Sequence, residues 1–207
     1  MPSAKKAPDQ PLSLGRIDET VLDVPIVGIT PIIPHAWSQK ARNMMALRQA
    51  NPGLRAAREP KDEAAIEQER RDSCYWLDDD TPGMPATAFK AAMVDGCRFF
   101  DGLTMTMAKM LFYVEGVGPD QLVPIEGDAH PRQDTPRNAD GVADLRYRFM
   151  FDPWAAVLRI HYYPAKITAD SVIALVDAGG KGGVGDWRPS SPKSKTGMYG
   201  QFRVMEG

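Results

Sequence analysis

The chain has 207 residues, 43% hydrophobic and 25% charged, enough for one globular domain with insertions or at most two small ones. No stretch approaches the roughly 18 apolar residues of a membrane span, and no apolar run follows Lys5 and Lys6 as a signal peptide requires. Two cysteines, Cys74 and Cys97, fit a reducing interior, so a cytoplasmic protein with no membrane partner is expected; its net charge of −2 is not that of a generic nucleic-acid coat.

Residues 1–17 are polar and proline-containing and read as a flexible tail before a single domain over 18–207. Leu22, Val24 and Ile26 alternate with Val21, Asp23 and Pro25, which predicts a strand that Pro31 and Pro34 end. Ser38 can cap a short helix with Ala41, Met44, Met45 and Arg48 on one side, carrying Lys40 and Arg42 and stopped by Asn51-Pro52-Gly53. Residues 51–80 form an acidic insertion, with nine acidic against three basic residues from Glu59 to Asp80. Its 54–72 stretch is expected to be mobile, Cys74 to Leu77 an edge strand, and Asp78 to Gly83 a turn.

Pro85 suits the first position of a helix in which Phe89, Ala92, Met93, Gly96, Cys97 and Phe100 recur at helical spacing, with Gly102 ending it. Lys109 to Glu115 and Gln121 to Glu126 read as two strands joined by a turn, and Asp128 to Gly141 as a long loop. A hairpin then follows from strict alternation: Ala143 to Phe151, a turn at Asp152-Pro153, and Trp154 to Tyr163. One face is core and the other carries Arg146, Arg148 and Arg159 side by side. Thr168 caps a second helix that Gly179 closes at C′, and a last strand spans Gln201 to Met205. The order predicts an α+β fold with a ferredoxin-like (RRM-like) βαββαβ core, a large insertion after the first strand and an additional hairpin.

The glycine-rich loop at 179–200 is the most unusual segment. Gly182, Gly183 and Gly185 let backbone N–H groups approach an anion, Lys181, Arg188, Lys193 and Lys195 add charge, and Trp187 offers a face for base stacking. It is not a P-loop, because no Gly-Lys-Ser/Thr ends it, and it lacks the preceding strand of a dinucleotide fingerprint. The competing reading is a plain connection with Trp187 packed in the core. Arg146, Arg148, Arg159, Lys40 and Arg42 could reach phosphates, or be solvated charges with cross-strand partners such as Asp144. No catalytic constellation stands out: His35, His130 and His161 lie far apart, show no metal-ligand spacing with either cysteine, and Cys97 sits on an apolar helix face. The Asp78–Asp80 run reads as a solvated turn rather than a cation site. A non-enzyme with no cofactor and no metal is expected.

Three segments carry a resemblance: Gly28-Ile-Thr-Pro-Ile-Ile33 after the first strand, Met84-Pro-Ala-Thr-Ala-Phe-Lys-Ala-Ala92 opening the main helix, and the glycine-rich loop ending in Gly197-Met-Tyr-Gly-Gln-Phe-Arg-Val204. Together, over about two-thirds of the chain, they resemble the RAMP superfamily, which includes backbone subunits of CRISPR effector complexes. Gly183-Val-Gly-Asp-Trp-Arg-Pro189 also resembles uncharacterised bacteriophage proteins. The resemblance implies a ferredoxin-like core that binds single strands through backbone contacts and stacks along them, with Lys181, Gly182, Gly183, Gly185 and Arg188 at the nucleic acid. No catalytic histidine is evident near the start, and the Trp-Arg-Pro of the loop departs from the family pattern. The expected function is non-sequence-specific binding of single-stranded DNA or RNA by a phage-encoded homo-oligomer, serving strand protection or annealing in recombination. Head-to-tail contacts would run through the acidic insertion. The alternative is a structural or interaction protein, such as a virion component or a CRISPR-subunit mimic acting as inhibitor.

Overall fold

A computed structural model describes residues 15–36, 46–47, 49–51, 61–135, 145–192 and 195–206. The tail before residue 15, Lys40, Arg42 and Lys193 lie outside these residues, as do Ser38 and most of the helix expected after it. The elements are β1 (Thr20–Gly28), α1 (Glu63–Asp72), β2 (Tyr75–Trp76), β3 (Pro82–Pro85), α2 (Ala86–Gly96), a 3-10 turn (Cys97–Phe99) and α3 (Met105–Leu111). There follow β4 (Phe112–Glu115), β5 (Leu122–Pro124), β6 (Glu126–Asp134), β7 (Arg146–Tyr162), α4 (Ala169–Gly182) and β8 (Phe202–Val204).

The molecule is α+β with antiparallel sheets. The main sheet has the order β4-β7-β1-β8, with β6 also on β7, and a small sheet has the order β2-β3-β5. β1 lies in antiparallel register with β7 from Thr20↔Tyr162 to Val27↔Ala155, and β8 pairs with the far end of β1. Alternation along these strands decides the layers. Val24, Ile26, Leu158, Ile160 and Phe202 are buried in one cluster with Phe89 and Met93 of α2 and with Val172, Leu175 and Val176 of α4. Val21, Asp23, Val157 and Arg159 are exposed on the opposite face.

Several expectations are corrected. The Ala143–Tyr163 hairpin is one 17-residue strand: the chain continues through Asp152-Pro153, a cis peptide, instead of turning there. The inward phase shifts across that dipeptide, so Phe151 and Trp154 are both buried. Arg148 is also buried, against the Asp186 carboxylate, and the row of Arg146, Arg148 and Arg159 does not form. Asp128 to Asp134 of the expected loop belong to β6, which pairs with the N-terminal half of β7, and residues 136–141 lie outside the described residues. Lys109 to Leu111 belong to α3, whose N-cap Thr104 accepts from the Met107 amide, and β5 joins the small sheet rather than a hairpin with β4. Residues 63–72 of the acidic insertion form a helix, capped by Asp62 at the Ala65 amide and seated on β7, where Arg70 stacks over the Tyr147 ring.

Thr168 caps α4 as expected, but the helix runs past Gly179 to Gly182, and Gly183 takes the C-cap at φ 71. Two of its glycines are there for packing. A Cβ on Gly179 would lie 2.8 Å from the Ala92 backbone of α2, and one on Gly180 would lie 2.0 Å from the Phe202 carbonyl oxygen of β8. Helix α4 can therefore approach both neighbours only with bare backbone at these positions.

Candidate functional site

The segment after α4 folds back over the start of the chain. Val184 N–H donates to Gly200 O, Asp186 N–H to Ile33 O at 2.9 Å, and Ser190 N–H to Gly182 O at 3.0 Å. Gly200 N–H reaches Pro31 O at 2.7 Å. Gly185, at φ 81, faces the Ile33 carbonyl at a separation that leaves no room for a side chain, and Gly200, at φ 68, faces that of Val184. Much of the loop's backbone hydrogen bonding is thus internal. The amides of Gly183, Val184 and Asp186 donate to carbonyls of the chain, so they do not form an open anion cradle.

Side chains fasten the loop. Asp186 Oδ2 accepts from Arg148 Nη1 at 2.6 Å, and His35 Nδ1 lies 3.4 Å from the same oxygen. Arg148 is 2% exposed, so Asp186 supplies the counter-charge that a buried guanidinium requires. His35 is held from behind, where Tyr75 Oη donates to its carbonyl at 3.0 Å. Burial pushes the His35 imidazole below its ordinary value; Asp186 acts against this and the charges of Arg148 and Arg146 act with it. Arg188 donates to Gly185 O at 2.9 Å and to Ser190 Oγ at 3.1 Å. Trp187, at φ 55, turns the other way. It meets Tyr199 edge-on, and Arg132 of β6 lies over both rings, at 5.3 Å from Trp187 and 4.9 Å from Tyr199.

Two adjoining hollows result, both touching Asp95 and Ser190. The first, about 210 Å³, lies between His35, the Ala88–Asp95 side of α2 and Gly183 to Ser190. The second, about 340 Å³, is lined by Arg98, Lys181, Gly182 and Pro189. The fold thus brings five residues of the sequence-derived set, Lys181, Gly182, Gly183, Gly185 and Arg188, to one groove. Lys181 is exposed there and pairs with Asp177 one turn back, at 2.7 Å. The fold leaves the others elsewhere. Trp187 packs with Tyr199, Lys195 is exposed beyond the groove, and Arg146 is half-buried opposite Asp134 of β6. Arg159 lies on the helix-free sheet face, paired with Glu115 at 3.2 Å and Asp23 at 3.4 Å. Sequence reasoning missed His35, Asp95, Arg98 and Asp186 as groove residues. Only Pro31 and Pro34, which turn the chain back after β1, hinted that His35 would leave the strand.

Other candidates resolve simply. His161 stacks on Tyr113 at 4.3 Å, and its two ring nitrogens meet Glu19 at 2.7 Å and Glu115 at 2.6 Å, a surface ion network. Asp78 accepts from the Asp80 and Thr81 amides, a closed turn. Cys97 is a core residue, and burial pushes the Cys74 thiol up to about 11. Among the described residues no group of three His, Cys, Asp or Glu side chains is placed to hold a metal, and no helix is long and apolar enough to cross a membrane.

No family model matches the sequence, and no curated protein matches it. Among solved structures, the chain is similar to one described as Type III-B Cmr-beta bound to cognate target RNA, at 14% identity and a TM-score of 0.40, covering 91% of this chain and 59% of that one. It is also similar to Cmr6 from Pyrococcus furiosus, at 10% identity and a TM-score of 0.37, covering 92% of this chain and 100% of that one. The chain therefore spans less than two-thirds of the first of these structures.

Proposed function

We propose that the chain is a ferredoxin-like, RAMP-type protein that binds single-stranded nucleic acid along the groove beside the end of α4, as a binding protein rather than a catalyst. With β1, β4, β7 and β8 as core strands, the second and third are neighbours, the first lies inside and the fourth at the edge. Helices α2 and α4 follow the first and third of them, an arrangement that favours the ferredoxin-like reading. The observation that carries the function is the convergence of Lys181, Arg188 and Arg98 with the glycines Gly182, Gly183 and Gly185 on one groove. Because the loop amides donate internally, the grip on phosphates falls to these side chains and is independent of base identity. Phage origin, head-to-tail assembly through α1 and a service in strand protection or annealing belong to the same proposal. Fluorescence anisotropy with labelled single-stranded RNA and DNA tests it. Micromolar or tighter binding that weakens steeply with salt is expected, with the strands left intact when a divalent metal is added. No binding at low salt would overturn it.

A second reading, as an interaction protein of the virion-component or CRISPR-mimic kind, is favoured by one observation. Phe100 and Met107 are exposed and line an apolar hollow of about 610 Å³, with Leu103 and Leu111 beside them. Exposed apolar patches mark partner surfaces. A protein that stays monomeric and binds no strand, but co-elutes with a CRISPR effector complex, would favour this reading.

A further inference from the structure

The two hollows of the groove differ in chemistry. The one beside Arg98 and Lys181 is open, and its basic side chains are held only by exposed pairs, Arg98 with Asp95 at 3.7 Å and Lys181 with Asp177 at 2.7 Å, of a kind worth little in water. The one beside His35 is smaller and its charges balance: Asp95 and Asp186 stand against Arg188 and the buried Arg148, and burial favours a neutral His35. A phosphate gains little in a compensated site. Its α2 side is apolar, lined by Ala88, Ala91 and Ala92, whose short side chains leave room. Around it stand hydrogen-bonding groups of both kinds, the Asp186 and Asp95 carboxylates as acceptors and the Ser190 hydroxyl and Arg188 guanidinium as donors. His35 Nδ1 is buried and makes no hydrogen bond among the described residues; the Asp186 carboxylate, 3.4 Å away, offsets its desolvation only in part. At about 210 Å³ the space is below the roughly 300–1,000 Å³ of drug-sized pockets, which sizes it for a single ring system.

We propose that this hollow receives one unstacked nucleobase of the bound strand, while the neighbouring rim at Arg98 and Lys181 holds the flanking phosphates. The inference rests on the nucleic-acid reading of the groove and adds a specific contact to it. A base supplies what the pocket lacks: a planar apolar body against the alanines of α2, and edge donors and acceptors for His35, Asp186 and Ser190. It also gives single strands their advantage over a duplex, since a stacked and paired base cannot enter without being flipped out.

The test compares two labelled strands of equal length and charge, one with bases throughout and one wholly abasic, on the intact protein and on Ala91→Leu. Ala91 is exposed at the pocket, and leucine is a good helix former, so this variant narrows the space without disturbing the core. Ala88→Leu serves as a second plug, and thermal melting verifies that both fold. The intact protein should bind the normal strand about tenfold more tightly than the abasic one, about 1.4 kcal/mol in free energy. The plugged variants should lose that preference and keep the abasic affinity. Equal binding of both strands by the intact protein, or an undiminished preference in both plugged variants, overturns the base pocket and leaves strand binding standing. Failure to bind either strand overturns the groove reading, and the pocket with it.

Discussion

At the residue scale, glycines that look alike in the sequence differ in what surrounds them. Gly180 faces the Phe202 carbonyl with no room for a methyl group, whereas a Cβ on Gly182 meets only the Ser190 side chain at 3.3 Å. Gly180→Ala should therefore destabilise by about 1–3 kcal/mol through overpacking. Gly182→Ala should stay within about 0.5 kcal/mol of the parent. Thermal midpoints will separate them, with about 2–4 °C expected per kcal/mol at this size. His161 is the residue whose pH behaviour is most exposed to test. Burial pulls its imidazole down, but hydrogen bonds to Glu115 and Glu19 and their charges outweigh this and hold it above its ordinary value. A histidine raised on folding contributes stability that is complete below its unfolded value and is lost as pH rises through the folded one. The stability advantage of the parent over His161→Phe, which keeps a ring on Tyr113, should thus be larger near about pH 6 than near about pH 9. An advantage that grows with pH would contradict the ion network.

At the element scale, the loop after α4 is anchored by the Arg148–Asp186 pair. Removing Asp186 leaves a buried guanidinium without its counter-charge, a change that costs about 3–5 kcal/mol for fully buried pairs. Asp186 keeps 31% exposure, so Asp186→Ala should cost about 2–3 kcal/mol, toward or below the low end of that range. Arg159→Ala, which removes an exposed pair, should cost no more than about 1 kcal/mol. Urea unfolding of the two variants measures the contrast. The elements with strong local signals were legible in the sequence: alternation gave β1, Pro85 placed the start of α2 within a residue, and Thr168 placed the cap of α4. The misreadings share a cause, which is that tertiary contact overrode local grammar. Asp152-Pro153 has the composition of a turn, yet β1 and β6 hold the chain extended on either side of it. Gly179 has the position of a helix stop, yet it is a contact with α2. Five loop residues of the groove were legible because charge and glycine cluster locally. His35 and Asp186 were not, because only the folding of the loop over the end of β1 brings them together.

At the scale of the whole molecule, the two sides of the main sheet differ in role. The helix-free sheet face carries a charged network around His161 in which acids and bases largely pair among themselves. Lys181, Arg188 and Arg98 stand together by the end of α4, so a net charge of −2 over the whole chain does not preclude a local attraction for phosphates. The measurement that bears most directly on this is the salt dependence of single-strand affinity for the parent and for the Lys181→Ala/Arg188→Ala double variant. If these side chains neutralise two phosphates, the slope of log affinity against log salt should become shallower by about 1.4 in the variant, at about 0.7 per contact. Affinity at low salt should fall with it. A variant that binds as tightly as the parent with the same slope would place the nucleic acid elsewhere and contradict the assignment of the groove.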